Sequence, residues 1–209
     1  MPAVIPNGAG DEMFVNRLEP KNLNRPELLF IGNFFWLQNT EAAEFLLQKI
    51  YPVLRNKVPD AQIVIAGQNA KQRLSSFENE NIKIIDIAPD DTNTVQSLYH
   101  KATLFIAPVF GPGGTNLKIL AAMAAGLPVV STPIGAKRLG MENLVNALMA
   151  ESPEEFVDGI ASMLSNSNLY ESIRKNAYEL AQSSYSWSAI SRELEVVYRT
   201  IRTTHAYRN

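Results

Sequence analysis

The chain has no cysteine in its 209 residues, which excludes a disulfide framework, a thiolate nucleophile and any cysteine-based metal site. Histidine is nearly as scarce: His100 and His205 are the only two, too few for a histidine-rich metal centre. The formal net charge is −2 and the pI near 5.8, so no long-range field draws the chain to nucleic acid or anionic lipid. The longest apolar run, Ile119 to Val130, is broken by Gly126-Leu-Pro128 and is too short for a bilayer span. Met1-Pro-Ala-Val-Ile-Pro-Asn-Gly8 has neither the basic start nor the apolar core of a signal peptide. These absences together give a cytoplasmic expectation, with no metal, no nucleic-acid partner and no transmembrane segment.

What is present is enough apolar material for a sizeable core, 46% hydrophobic against 19% charged. Residues 1–27 hold Pro2, Pro6, Pro20 and Pro26 among several Asn and Gly, and read as an extended lead-in outside the core. Continuous apolar runs then alternate with amphipathic stretches. Strands are expected at Leu28–Ile31, Gln62–Ala66, Ile82–Ile87, Leu104–Pro108 and Pro128–Ser131, with a short one at Ala147–Ala150. Helices are expected from Asn39-Thr40 to Arg55, over Ala70–Phe77, Thr92–Lys101 and Asn116–Ala125, then from Ser152 to Leu164, Asn168 to Gln182, and Ser186 or Ser188 to Ile201. Strands that are apolar throughout need both faces covered. The fold class is therefore α/β, a Rossmann-like doubly wound parallel sheet with a helical C-terminal segment. We divide it into a lead-in at 1–27, the sheet domain at 28–183 and a C-terminal helix and tail at 184–209.

The richest stretch runs from Ala107 to Ser131. It joins a strand end, a turn containing Gly111, Gly113 and Gly114, a helix that Thr115 or Asn116 can cap, and a further strand. A helix opening there aims unpaired N–H groups and its positive dipole end at the turn. A phosphate held at that point would have Lys118 close in sequence. The alternative is a tight connection that needs glycine for geometry alone.

Other candidates are weaker. Gly32-Asn33, at the carboxyl end of the first strand, faces the same crevice of a doubly wound sheet. Phe34, Phe35 and Trp36 are read as packing rather than as a stacking platform, and His100 as a surface residue. Asp86, Asp90 and Asp91 are read as turn and cap residues. Lys137 and Arg138 lie in the loop after the fifth strand, free either to reach a phosphate or to stay solvated. No Ser/His/Asp set and no metal-ligand spacing emerges.

The order of these pieces resembles the C-terminal lobe of the group 1 retaining glycosyltransferases of the two-lobe GT-B architecture. The matching segments are Ile5-Pro-Asn-Gly8, Leu29-Phe-Ile-Gly32, Asn39-Thr-Glu-Ala-Ala43, Pro59–Gly67, Gly113-Gly-Thr-Asn-Leu-Lys-Ile-Leu120, Ala122–Thr132 and Tyr185-Ser-Trp187, covering about residues 4 to 201. The resemblance implies a single GT-B C-terminal lobe that binds a nucleoside diphosphate-sugar. It implies usually metal-independent transfer without a cofactor, and a diphosphate held by Gly32, Asn33, Gly113, Gly114, Thr115, Asn116 and Lys118, with Gly111, Lys137 and Arg138 as possible additions. The acceptor site would come from an N-terminal lobe, encoded in the same gene or on a separate chain. Alone, this chain is expected to bind rather than turn over, and a noncatalytic module serving as an interaction or structural partner is the rival expectation. A Rossmann-type dehydrogenase is disfavoured because the glycine turn follows the fourth strand rather than the first.

Two departures from the family pattern bear on the donor site. The family's paired glutamates, with seven residues between them, fall on Gly113 and Ala121. Alanine at the second removes a carboxylate for the ribose hydroxyls, worth about 1.5–3 kcal/mol, or about ten- to a hundredfold in affinity. The basic residues that many relatives place after the first strand are here Asn33 and the neutral run Phe34-Phe-Trp-Leu-Gln38.

Overall fold

Apolar runs with no polar alternation can only be satisfied inside a sheet covered on both sides. The computed structural model, which describes residues 4–111 and 116–206 with side chains through residue 201, places them there. The strands are β1 (Glu27–Ile31), β2 (Gln62–Gly67), β3 (Ile82–Asp86), β4 (Leu104–Ala107), β5 (Val129–Ser131) and β6 (Leu148–Met149). They form one six-stranded sheet in the order β3-β2-β1-β4-β5-β6. Every pairing is parallel, with Leu28 opposite Ile63 on one side and Leu104 on the other.

Alternate residues of each strand point to opposite faces, and the core divides accordingly. Leu28, Phe30, Ile63, Ile65, Leu104 and Ile106 belong to one apolar cluster. Leu29, Val64, Phe105 and Val129 belong to the other. The first face is covered by α1 (Leu37–Phe45), which passes through a π-helical stretch at Leu46–Ile50 into α2 (Tyr51–Lys57), together with α3 (Ala70–Leu74) and α7 (Pro153–Ser165). The second is covered by α4 (Thr92–Lys101), α5 (Leu117–Ala124) and α8 (Ser167–Tyr185). A short α6 (Pro133–Lys137) follows β5, and α9 (Trp187–Ala206) ends the described chain. No helix among the described residues is long and apolar enough to cross a membrane.

Several boundaries follow local chemistry that the sequence displays. Asp91 accepts the Thr94 N–H and caps α4, and Ser152 with Glu155 forms a capping box at α7. The Ser186 hydroxyl takes the Ala189 N–H at the start of α9. Three expectations need correction. The first helix begins at Leu37, not at an Asn39-Thr40 cap, and no side chain caps it. The cap of α8 is Asn166, whose Oδ1 takes the Leu169 N–H, rather than Asn168. The segment after β5 is helical through Lys137, because Pro133 at its first position and the Thr132 side chain on the Gly135 N–H nucleate a turn.

The lead-in is the fourth correction. Ala9 and Met13 are buried in the second core. The Ala9 N–H donates to Tyr185 O, and Val15 O accepts the Tyr178 hydroxyl at 2.8 Å. Arg174 of α8, almost wholly buried, donates to Glu19 O and to Gly126 O, each at 2.7 Å. One guanidinium thus ties the lead-in, α8 and the turn after α5 together. The proline-rich composition predicted the extended path but not its docking, which rests on backbone groups and carries no side-chain period.

Candidate functional site

Strand order reverses between β1 and β4, and a doubly wound sheet opens a crevice at that switch point, beyond the carboxyl ends of its strands. Two cavities lie there. One, of about 280 Å³, is bounded by Phe30, Gln38, Asn39, the loop Pro108–Gly111, Asn116 and Lys118. The other, of about 270 Å³, is bounded by Ile31, Gly32, Asn33, Gly67, Gln68, Ile87, Val95 and again Asn39 and Lys118. Asn39 and Lys118 therefore form the partition between them.

That partition is a hydrogen-bonded chain. The Lys118 ammonium donates to Asn39 Oδ1. Asn39 Nδ2 donates to Asn33 O at 2.8 Å, and Asn33 Nδ2 to Gln68 Oε1 at 3.1 Å. The chain links the first turn of α5 to the turns after β1 and β2. Lys118 also lies over the Phe30 ring, 4.8 Å from its centroid, a contact that favours the cation. Tyr99, buried under α5, donates its hydroxyl to Lys118 O at 3.1 Å and holds that turn in place.

The electrostatics of Lys118 differ from those of a surface lysine. Burial costs the charged form its hydration, so its pKa is pushed from 10.5 down to about 8. At neutral pH the group is still a cation. It is a desolvated positive charge at the first turn of a helix whose dipole adds to it, which is a site suited to an anion. Lys21 is also pushed down to about 8 by burial and by Arg174. That lysine donates to His100 O under the lead-in, away from both cavities.

Glycine is required at one point of the crevice and closely fitted at a second. Gly67 has φ of +144°, and a Cβ there would sit 1.8 Å from Gly32 O. A Cβ on Gly32 would come within 3.0 Å of Asn39 Cγ. The turns after β1 and β2 thus pass close enough for Asn33 and Gln68 to meet.

Of the residues expected to form the site, Gly32, Asn33, Gly111, Asn116 and Lys118 line these cavities. Gly113, Gly114 and Thr115 lie outside the described residues. Asn116 is the residue before α5 but does not cap it by its side chain, which instead donates to Gly135 O at 3.0 Å and pins the β4–α5 connection to α6. Lys137 and Arg138 are exposed and line neither cavity. Asp86 and Asp91 are engaged locally, by the Lys71 N–H at 2.8 Å and the Thr94 N–H at 3.0 Å. His100 is half-buried, its Nε2 3.5 Å from Met13 O, rather than a surface group.

The packing expectation holds only for Phe34, which is buried. Phe35, Trp36 and Leu37 are exposed. Sequence reasoning also missed Asn39 and Gln68. Asn39 sits where a helix cap is expected, so its site role was masked by the commoner use of asparagine there.

The model of the family described as "Glycosyl transferases group 1" matches residues 25–166. The chain belongs to this family. An uncharacterized 44.6 kDa protein from the cps region of Klebsiella pneumoniae is 29% identical over 170 residues, 78% of this chain and 44% of its own length. The chain spans about half the length of the curated relatives it matches. Among solved structures, the C-terminal domain of a group 1 family glycosyl transferase (LpcC) from Francisella tularensis superposes with a TM-score of 0.61. It is 22% identical, with 77% of this chain and 86% of that one covered. Anabaena HepE, solved in complex with UDP-glucose, superposes with a TM-score of 0.67 at 17% identity, over 85% of this chain and 49% of that one. These likenesses establish the Rossmann-like lobe of a GT-B glycosyltransferase as the fold of this group 1 glycosyl transferase chain.

Proposed function

We propose that the chain is the donor-binding lobe of a retaining glycosyltransferase, holding a nucleoside diphosphate-sugar across the β1/β4 crevice and completing transfer to an acceptor only with an N-terminal lobe. The observation that carries this reading is Lys118: a desolvated cation at the partition between two cavities, each large enough for one end of a two-part ligand, with the anionic linker at the centre. The mixed polar cavity, lined by the carboxamides of Gln38, Asn39 and Asn116, suits the sugar. The more apolar one suits the nucleoside. The fold likeness to a protein solved with UDP-glucose agrees with this assignment.

Chemically, departure of a nucleoside diphosphate builds negative charge on the leaving oxygen. A preorganised ammonium and the free N–H groups of a helix start stabilise that charge more in the transition state than in the ground state. Lys118 would pass its hydrogen bond from Asn39 Oδ1 to a phosphate oxygen, so the site is held ready by an exchangeable internal partner. Bound phosphate would in turn hold Lys118 protonated.

A second reading is favoured by one residue. Ala121 stands where the family places its second glutamate, and a module that kept the fold as an interaction partner has no use for that carboxylate. Calorimetry against UDP, GDP and ADP sugars separates the two. The donor-lobe reading expects binding to at least one nucleotide, weakened about tenfold or more by Lys118→Ala, and glycosyl transfer when an N-terminal lobe is supplied. Silence with every nucleotide at millimolar concentration sinks it in favour of the module.

A further inference from the structure

Asn39, in the first turn of α1, is half-buried on the partition between the two cavities. Its carboxamide answers two groups of opposite need: Oδ1 accepts from the Lys118 ammonium, and Nδ2 donates to Asn33 O at 2.8 Å. Only one orientation of the amide satisfies both, since an ammonium can only donate and a carbonyl can only accept. The fit is also close. A Cβ on Gly32 would come within 3.0 Å of Asn39 Cγ, so the carboxamide packs directly against the turn after β1.

Resting on the reading of the crevice as a nucleotide-sugar site, we infer that Asn39 is the positioning residue of that site, a neutral latch that holds the Lys118 ammonium at the crevice and gives it up to the ligand's diphosphate. A free lysine side chain loses rotamer freedom when it grips an anion. Held by Asn39 Oδ1 and over the Phe30 ring, Lys118 has given up much of that freedom before a ligand arrives. Neutrality is what makes the latch reversible. A carboxylate in the same place would bond the ammonium with a full charge, compete with the diphosphate for it, and repel that anion at close range. It would also lack the donor that Asn33 O receives. Lys118 is the one titratable side chain among the described residues that line the two cavities, so a charge introduced at Asn39 acts on it directly.

The test sets Asn39→Asp against the unaltered full chain, by calorimetry with UDP, GDP and ADP and by following the Lys118 side-chain Cε resonance against pH. The expected result is a rise of about tenfold or more in the Kd of the nucleotide that binds best, with the Lys118 titration moved to higher pH by the new carboxylate. An aspartate variant that binds nucleotide as tightly as the unaltered chain overturns the inference, and so does a Lys118 titration that does not move. Should Asn39→Asp fold poorly, Asn39→Leu removes both bonds and keeps the shape. It should raise the Kd about threefold or more in the unaltered background and have little further effect in Lys118→Met. Equal losses in the two backgrounds mark Asn39 as a structural residue and overturn the inference while leaving the donor site standing. Binding of none of the three nucleotides by the unaltered chain overturns the donor site itself and the inference with it.

Discussion

Lys118 is the residue on which stability and function pull in opposite directions. Because its folded-state pKa lies near 8, below the free value of 10.5, the unfolded chain binds more protons between those two pH values. Stability therefore rises with pH across that window, and the penalty is fully present below pH 8. Lys118→Met should raise stability at pH 7 by about 1–3 kcal/mol, read as a higher denaturant midpoint, while lowering nucleotide affinity. A variant that loses stability as well as affinity would mark Lys118 as structural. In the unaltered chain, affinity for a nucleoside diphosphate should fall about tenfold between pH 7 and 9 as the ammonium deprotonates, a drop that calorimetry across that range would register and that Lys118→Met should not show. Gly67 is the other residue with no freedom. A methyl at φ of +144° and 1.8 Å from Gly32 O forces the two crevice turns apart, so Gly67→Ala should cost about 3 kcal/mol or more in an unfolding titration.

Among the elements, helix starts show where local rules held and where the site overrode them. Asp91 and Ser152 cap α4 and α7 as their sequences indicate, since nothing competes for those side chains. Ser152→Ala should therefore cost about 1 kcal/mol in thermal or chemical unfolding and leave nucleotide binding unchanged. Asn39 has the composition of a cap, yet α1 starts uncapped at Leu37 and Asn39 serves the Lys118–Asn33 chain instead. Asn116 likewise spends its amide on Gly135 O. A side chain withdrawn from local use to bridge two loops leaves no trace in a single sequence, because the partner is 79 residues away in one case and 19 in the other. Strand positions were legible because each is a short apolar run. The small α6 was not, because a single turn set by Thr132 and Pro133 offers too little period to read.

Across the whole molecule, the sheet order and the crevice at its centre follow from the alternation of strands and helices, and Gly32, Asn33, Asn116 and Lys118 line the cavities there. Lys137 and Arg138 share that end of the sheet but line neither cavity, since α6 turns them outward into solvent. The docking of the lead-in was illegible for a different reason: it is held by carbonyls that answer Arg174 and Tyr178. Replacing Arg174 by Met should leave the carbonyl of buried Gly126 without its donor and release the lead-in at Glu19 O, at a cost of about 1–3 kcal/mol, seen as a lower denaturant midpoint.

The central claim is that a nucleotide's diphosphate sits at Lys118 between the two cavities. Titrating the isotope-labelled chain with UDP and following backbone amide resonances by NMR tests it most directly. The account predicts saturable shifts concentrated at Gly32, Asn33, Gln68, Asn116 and Lys118, and their loss in Lys118→Met at the same ligand concentrations. Shifts clustered elsewhere, or a crevice that stays silent while nucleotide binds, would contradict it.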